Sequence, residues 1–288
     1  MTSRITQPGL QLRLMSWNVA GRVGRWRERI DAIRGLAPDI LALQEVTART
    51  LPMYTTDLPA LGLDHIVDSR SLSETPRALT GPRKYCELLA SRWPLEPLAA
   101  AEFDIPWPER VLSAVVHTPG GDVEVHIAHL PTGVGHGWTK IETFDGIFLR
   151  LARDSDKPRI LCGDFNSPQA EIDGEMITWG QDVGADGHPT QPAGNGCWDT
   201  GERSVVEGLA TYDLADAFRH LHPRKEEYSW VWRGRGRGGA PKTVRRRFDH
   251  MFASESLGAT SCRYVHSVRE GRLSDHSAIV ADFSPSSD

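Results

Sequence analysis

The residues best suited to chemistry stand where short apolar runs begin or end. Asn18 follows Leu14-Met15-Ser16-Trp17, Glu45 follows Leu41-Ala42-Leu43-Gln44, and Asp164 and Asn166 follow Ile160-Leu161-Cys162-Gly163. Asp249, Asp275, His129 and His276 stand at the borders of comparable runs. Carboxylate oxygens are the preferred ligands of Mg²⁺ or Mn²⁺, amides add neutral donors, and imidazoles hydrogen-bond or protonate a phosphoryl oxygen. A phosphodiester repels an attacking hydroxide, so its hydrolysis needs charge neutralised at its oxygens and a placed water. Acids, amides and histidines gathered on one rim supply both.

Taken singly, each of these residues has an ordinary structural account. An Asp before a turn is usually a cap or turn former. His129 shares alternation parity with Val123, Val125 and Ile127, as a core histidine would. Within Arg247-Phe248-Asp249-His250-Met251-Phe252, Asp249 shares a face with Met251 and His250 points the other way, so only one of the two can join a given site.

Positioning such a set requires a rigid frame. Strand-like runs occur at Leu10–Val19, Ile40–Val46, Tyr85–Trp93, Val111–Thr118, Val123–Leu130, Arg159–Phe165, Tyr228–Trp232, Arg247–Ala253, Cys262–Val268 and Ser277–Phe283. Many of them alternate apolar and polar residues, as strands with one buried face do. Helical spacing links Trp26, Ile30, Ile33 and Leu36 ahead of Pro38, and again Ile141, Phe144, Ile147, Phe148 and Leu151. Strands and helices interleave from 10 to 284, which implies one α/β domain between an N-terminal tail, 1–9, and a C-terminal tail, 285–288. Residues 181–208, rich in Gly, Asp and Pro, read as a surface excursion; 233–247 reads as a basic, Gly-rich loop.

The formal charge of −5 across 288 residues argues against a protein that coats nucleic acid or an anionic membrane by bulk charge. That average hides an asymmetry: the segment 233–247 carries +7, leaving −12 for the remainder. Either a solvated connection or a grip on phosphates accounts for it. Cys86, Cys162, Cys197 and Cys262 form no CxxC pair and no zinc spacing, so free thiols are expected. No apolar run approaches a membrane span and Met1–Gly9 lacks an apolar signal core, so a cytoplasmic, soluble monomer without an obligate protein partner is expected.

As an ordered set, SWNVAG at 16–21, LALQEV at 41–46, LASRWPL at 89–95, HIAHLPTG at 126–133, LCGDFNSP at 161–168, RRFDHMFAS at 246–254 and SDHSAIV at 274–280 resemble the endonuclease/exonuclease/phosphatase superfamily, from residue 10 to residue 283. The resemblance implies a four-layered α/β sandwich: two mixed β-sheets packed face to face, helices outside, and a site at one rim. It implies Glu45 as main Mg²⁺ ligand, Mn²⁺ being the alternative, with Asn18 and Asp275 close to the metal. It implies Asp164 as the base that activates water, Asn166 as its support, His276 as a phosphate contact fixed by Asp249, and a catalytic place for His129. The same pattern selects Asp249 over His250.

GLATYDLADAFRHLHP at 208–223 and EYSWVWR at 227–233 resemble exonuclease III-like nucleases, with Trp230 at a site-facing position. A tryptophan there either stacks on a base or sugar, or belongs to the core. The basic segment adjoins it, so Arg245, Arg246 and Arg247 are expected to grip phosphates. Gln44-Glu45-Val46 lacks the Lys that follows in abasic-site endonucleases, and His129 replaces their Tyr, so that branch is not implied. A Mg²⁺-dependent nuclease is therefore expected. A phosphoesterase acting on a lipid head group, inositol phosphate or nucleotide is the alternative, and a non-catalytic nucleic-acid-binding module a third.

Overall fold

The computed structural model describes residues 11–74, 76, 79–99, 103–182, 189, 196–235 and 239–284, so the tails expected at 1–9 and 285–288 lie outside the described residues. With strands numbered in chain order, one sheet runs β15 (Ala259–Val265), β16 (Ala278–Phe283), β1 (Leu12–Asn18), β2 (Ile40–Thr47), β4 (Tyr85–Ser91) and β3 (His65–Asp68). The other runs β11 (Ala215–Asp216), β14 (Asp249–Ala253), β8 (Arg159–Asp164), β7 (Gly121–His129), β6 (Val111–Thr118) and β5 (Leu95–Pro97). Both are mixed: β1 pairs parallel with β2, and β7 parallel with β8, while their other neighbours are antiparallel. Two hairpins stand apart, β9 (Ala170–Ile172) with β10 (Glu175–Ile177), and β12 (Trp230–Arg235) with β13 (Pro241–Arg246).

Alternation decides the layers. Leu12 and Leu14 of β1, Ile160 and Cys162 of β8, Met251 and Ala253 of β14, and Ile279, Ala281 and Phe283 of β16 meet in one core between the sheets. The opposite parity of the first sheet, including Met15, Trp17, Leu41 and Leu43, packs on Ile30 and Ile33 of α1 (Trp26–Leu36) and Tyr54 of α2 (Leu51–Asp57). On the far side of the second sheet, α3 (Gly133–His136) leads into α4 (Thr139–Leu151). There Ile141, Phe144 and Ile147 share a core with Leu161 and with Val205 of α5 (Gly196–Val206). Two short helices, α6 (Ala217–Leu221) and α7 (Ser267–Glu270), complete the list. The result is the expected four-layered sandwich.

All ten strand-like runs coincide with strands, and both helical stripes with α1 and α4. Two segments differ from expectation. The stretch 181–208 is not an excursion throughout: Gly196–Val206 within it is α5, with Glu202, Val205 and Val206 buried against α4. Its Gly/Asp composition disguises the helix because the apolar face is only a few residues wide. The basic segment is mostly hairpin, with Arg233–Arg235 paired to Pro241–Thr243, and 236–238 outside the described residues. The cysteines are free, three of them buried, and no helix among the described residues is long and apolar enough to cross a membrane.

Candidate active site

Strand parity delivers most of the site. Asn18 continues the inward row of Leu12 and Leu14, His129 that of Val125 and Ile127, Asp164 that of Ile160 and Cys162, and Asp249 that of Met251. His129 and Asp249 are the register partners of Asp164 on the two neighbouring strands, so the three lie abreast at one end of the second sheet. Gly163 precedes Asp164 at φ 139°, and a Cβ there would sit 1.9 Å from the Ala128 carbonyl oxygen. Only glycine lets β7 and β8 approach closely enough to hold that row.

Glu45 reaches the site by an irregularity. Strict alternation places it with Leu41 and Leu43, on the helix side of the sheet. The register of β2 against β4 instead shifts between Leu43 and Val46, and Glu45 adopts a left-handed φ of 58°. An extra residue in one strand re-aims a side chain in this way, at a strain cost of about 1–3 kcal/mol. The carboxylate thereby lies 3.6 Å from His129 Nε2 and 3.1 Å from Asn18 Nδ2.

Asp164 is the hub. It accepts from Asn18 Nδ2 at 2.9 Å and from the Asn166 backbone N–H at 2.9 Å, and its Oδ2 lies 3.7 Å from His276 Nε2 and 3.9 Å from His129 Nε2. Burial pushes its pKa up to about 7, with Asp249 adding to the rise and the His276 charge opposing it. His276 donates through Nδ1 to Asp249 Oδ2 at 2.8 Å. Burial by itself lowers the pKa of that imidazole, but the carboxylates of Asp249 and Asp164 outweigh it and raise the value to about 10. His276 is therefore an imidazolium whose Nε2–H faces the site.

His129 is its opposite. Burial, reinforced by Arg110 and His276, holds its pKa well below the ordinary histidine value. Arg110 can only donate, so the Nδ1 that it contacts accepts, and the single proton of the neutral ring sits on Nε2, facing Glu45 and Asp164. Arg110 and Glu87 are residues that the motifs do not flag. The Glu87 carboxyl is fully buried, lies 3.9 Å from His129 Nδ1, and has no hydrogen-bond partner on either oxygen. Burial raises its pKa well above the ordinary value, which favours the neutral acid beside the site.

A second concealed group supports Asn166. Lys140 of α4, buried and paired with Glu202 of α5 at 2.6 Å, donates to the Asn166 carbonyl at 2.9 Å. Trp179 Nε1 donates to the same carbonyl at 3.1 Å, while Asn166 Nδ2 donates to Leu130 O. Together they hold Asn166 in its left-handed conformation, φ 48°. A helical Lys and Glu 62 residues apart carry no sequence signal of that partnership.

The acids floor a cleft of about 1040 Å³. Trp230, Trp232, Val244 and Arg246 of the β12–β13 hairpin form one wall, and Val134, Trp179 and Trp198 contribute to the rest. Trp230 packs on Phe248 with ring centroids 5.4 Å apart. The three arginines part company. Arg246 faces the cleft with its guanidinium 5.1 Å from the Trp179 ring; Arg245 is exposed on the other hairpin face, over Tyr228. Arg247 is buried, bound to Glu171 at 2.7 Å and Asp216 at 2.8 Å, and so is a structural ion-pair residue with no fork left for a phosphate. Arg247→Ala, which leaves Glu171 with Arg219 and Asp216 with His250 as their remaining side-chain partners, is expected to destabilise the fold by about 3 kcal/mol in urea unfolding.

Two ligand expectations also change in detail. Asn18 accepts from Ala20 N through its oxygen and turns its nitrogen to Glu45 and Asp164, so it positions the acids. Asp275 lines the cleft but lies at its edge, 3.5 Å from Arg22. Ligand atoms of Glu45, His129 and Asp164 lie within 4.8 Å of one another, as do those of Asp164, Asp249 and His276. The second group already holds one cation, the imidazolium of His276, against its two carboxylates. The first joins two carboxylates that no Lys or Arg pairs with among the described residues. Hard oxygen donors with unbalanced charge fit a divalent cation.

Known proteins agree with this architecture. A curated exodeoxyribonuclease from Bacillus subtilis (strain 168) is 32% identical over 108 residues, which span 37% of this chain and 37% of that protein. An AP endonuclease from Archaeoglobus fulgidus has a similar fold, with a TM-score of 0.67 at 20% identity over 94% of this chain and 99% of its own. A humanized D. rerio TDP2 carrying 14 mutations is similar at a TM-score of 0.62 and 17% identity, over 95% and 98% of the two chains. At those identities the structural likeness concerns the fold alone. The family model for the Endonuclease/Exonuclease/phosphatase family matches residues 15–276, nearly the whole length over which the two sheets and their rim of acids are built, and the chain belongs to that family.

Proposed function

We propose that the protein is a Mg²⁺-dependent phosphodiesterase that hydrolyses nucleic acid by in-line attack of a water activated by Asp164. The observation that carries this reading is the pairing of a buried, proton-accepting Asp164 with a protonated His276 across 3.7 Å, beside Glu45. A scissile phosphate over that gap meets a base on one side and a cationic donor on the other. The partial match to an exodeoxyribonuclease supports a polynucleotide substrate.

Each side chain then has a task. Glu45, with Asp275 near the cleft edge, would hold Mg²⁺ or Mn²⁺, which would supply Lewis-acid charge neutralisation at the phosphate oxygens. Asp164 takes the proton of the attacking water, aligned by Asn18 and by the backbone N–H of Asn166. His276 donates Nε2–H to a non-bridging oxygen, held in orientation by Asp249. His129, neutral, offers a second N–H that adds no charge to the site. Arg246 and Trp230 hold the flanking strand.

The test is a substrate panel with Mg²⁺ or Mn²⁺: single-stranded, double-stranded and abasic DNA, RNA, inositol phosphates, nucleotides and lipid head-group esters. Cleavage of a polynucleotide that stops on adding EDTA is the expected result. Turnover of the small esters alone would replace this reading by the phosphatase alternative.

A further inference from the structure

Among the described residues, six large apolar side chains are exposed: Leu72, Val134, Trp138, Leu149, Trp179 and Trp232. Val134, Trp179 and Trp232 line the cleft, and Trp138 packs against its Trp198 with centroids 5.4 Å apart. Apolar surface is thus concentrated beside the buried acids, where solvation alone would favour polar residues. These indoles are also fixed in place. Trp179 donates Nε1–H to Asn166 O at 3.1 Å, and Trp198 donates to Glu202 Oε1 at 3.1 Å. Trp198 lies so close to Gly133 that a Cβ there would come within 2.7 Å, and Trp232 folds over Gly234, where the corresponding distance is 2.2 Å. A core tryptophan buries its ring; Trp179 has its N–H edge tied down by a hydrogen bond yet is 38% exposed.

We infer that this aromatic cleft binds unpaired nucleobases, so that the preferred substrate is single-stranded or locally unpaired nucleic acid. The inference rests on the nuclease reading above. In a duplex the base faces are stacked on one another, and a protein meets chiefly phosphates and groove edges, for which many Lys and Arg are needed. Among the described cleft-lining residues Arg246 is the one Lys or Arg, against four tryptophans. Its guanidinium over Trp179 joins the hairpin wall to the opposite one. Anchored indoles and a stacked Arg suit π-faces, which every unpaired base presents. At about 1040 Å³, the cleft lies at the top of the range for small-molecule pockets, about 300–1,000 Å³, and has room for more than one phosphoester group.

The experiment measures equilibrium binding of the full chain in EDTA, which holds back hydrolysis. The probes are a single-stranded oligonucleotide as DNA and as RNA, its blunt duplex, and a baseless phosphodiester strand of equal length. The single strand, in either chemistry, is expected to bind at least about tenfold tighter than the duplex and the baseless strand. Trp232→Ala is expected to weaken single-strand binding roughly 5- to 150-fold, and Trp232→Phe, which keeps a stacking face, to retain most of it. Equal affinity for strand and duplex, equal affinity with and without bases, or unchanged affinity in Trp232→Ala overturns the inference and leaves the phosphodiesterase reading standing. That reading falls separately, when the Mg²⁺-loaded protein cleaves small phosphoesters and no nucleic acid.

Discussion

Asp164→Asn is expected to lower kcat by about 10²–10⁴-fold, the usual worth of a general base, and at neutral pH to raise the thermal unfolding midpoint of the metal-free protein. The two effects share a cause. Burial pushes the Asp164 pKa to about 7, so the ionised form that accepts a proton from water is also the form that folding disfavours. The sign follows directly. From the ordinary carboxylate range up to about 7, the folded protein keeps a proton that the unfolded chain releases, so this group's contribution to stability falls as pH rises through that window. Asparagine, isosteric and neutral, loses the charge penalty, and its single oxygen keeps one of the two hydrogen bonds that Asp164 accepts from Asn18 and from Asn166 N–H. Calorimetry between pH 4 and 8 alongside steady-state kinetics checks both halves. Wild-type turnover in the variant would remove Asp164 as the base, and an unchanged midpoint would show that the apo site already balances its charge.

The second large effect belongs to His276, where replacement by Gln is expected to cost about 10²–10³-fold in kcat, as loss of a transition-state donor does. Its test is the pH profile. The residue acts protonated, and the carboxylates of Asp249 and Asp164 hold its pKa at about 10 against the effect of burial. Asp164 acts deprotonated, with a value of about 7 that a bound cation would lower. Rate against pH is therefore bell-shaped, failing on the acid side as Asp164 gains a proton and on the alkaline side as His276 loses one. Asp249→Asn removes one of the charges that holds the proton on His276, so the alkaline limb should move to lower pH while the acid limb does not rise. An alkaline limb that stays in place would assign it to another group.

Much of this arrangement is legible along the chain, and the illegible part has identifiable physics. Period-two alternation is enough to put Asn18, His129, Asp164 and Asp249 on inward faces and to separate Asp249 from His250. It fails at Glu45, because a bulge with a left-handed residue breaks the parity that the reading depends on. It fails also at 245–247, where three consecutive arginines look alike although one faces outward, one faces the cleft and one is buried between acids. Glu87, Arg110, Lys140 and Glu202 are invisible for a different reason. Their roles arise from contacts between elements far apart in the chain, and no local pattern records them.

The order of the first sheet also bears on how the rim is completed. β16, at residues 278–283, lies between β15 and β1, so an internal position of that sheet is filled by a segment far downstream of β1 in the chain. His276 is carried in by the same segment, tied to Trp17 Nε1 through its carbonyl oxygen, while Ser274 bonds Asn18 O. A fold without that segment would hold Glu45, Asp164 and Asp249 but no imidazolium, and would have a gap beside β1 where the first sheet closes. Closure of the first sheet and completion of the rim thus depend on one segment, and its removal would cost both together.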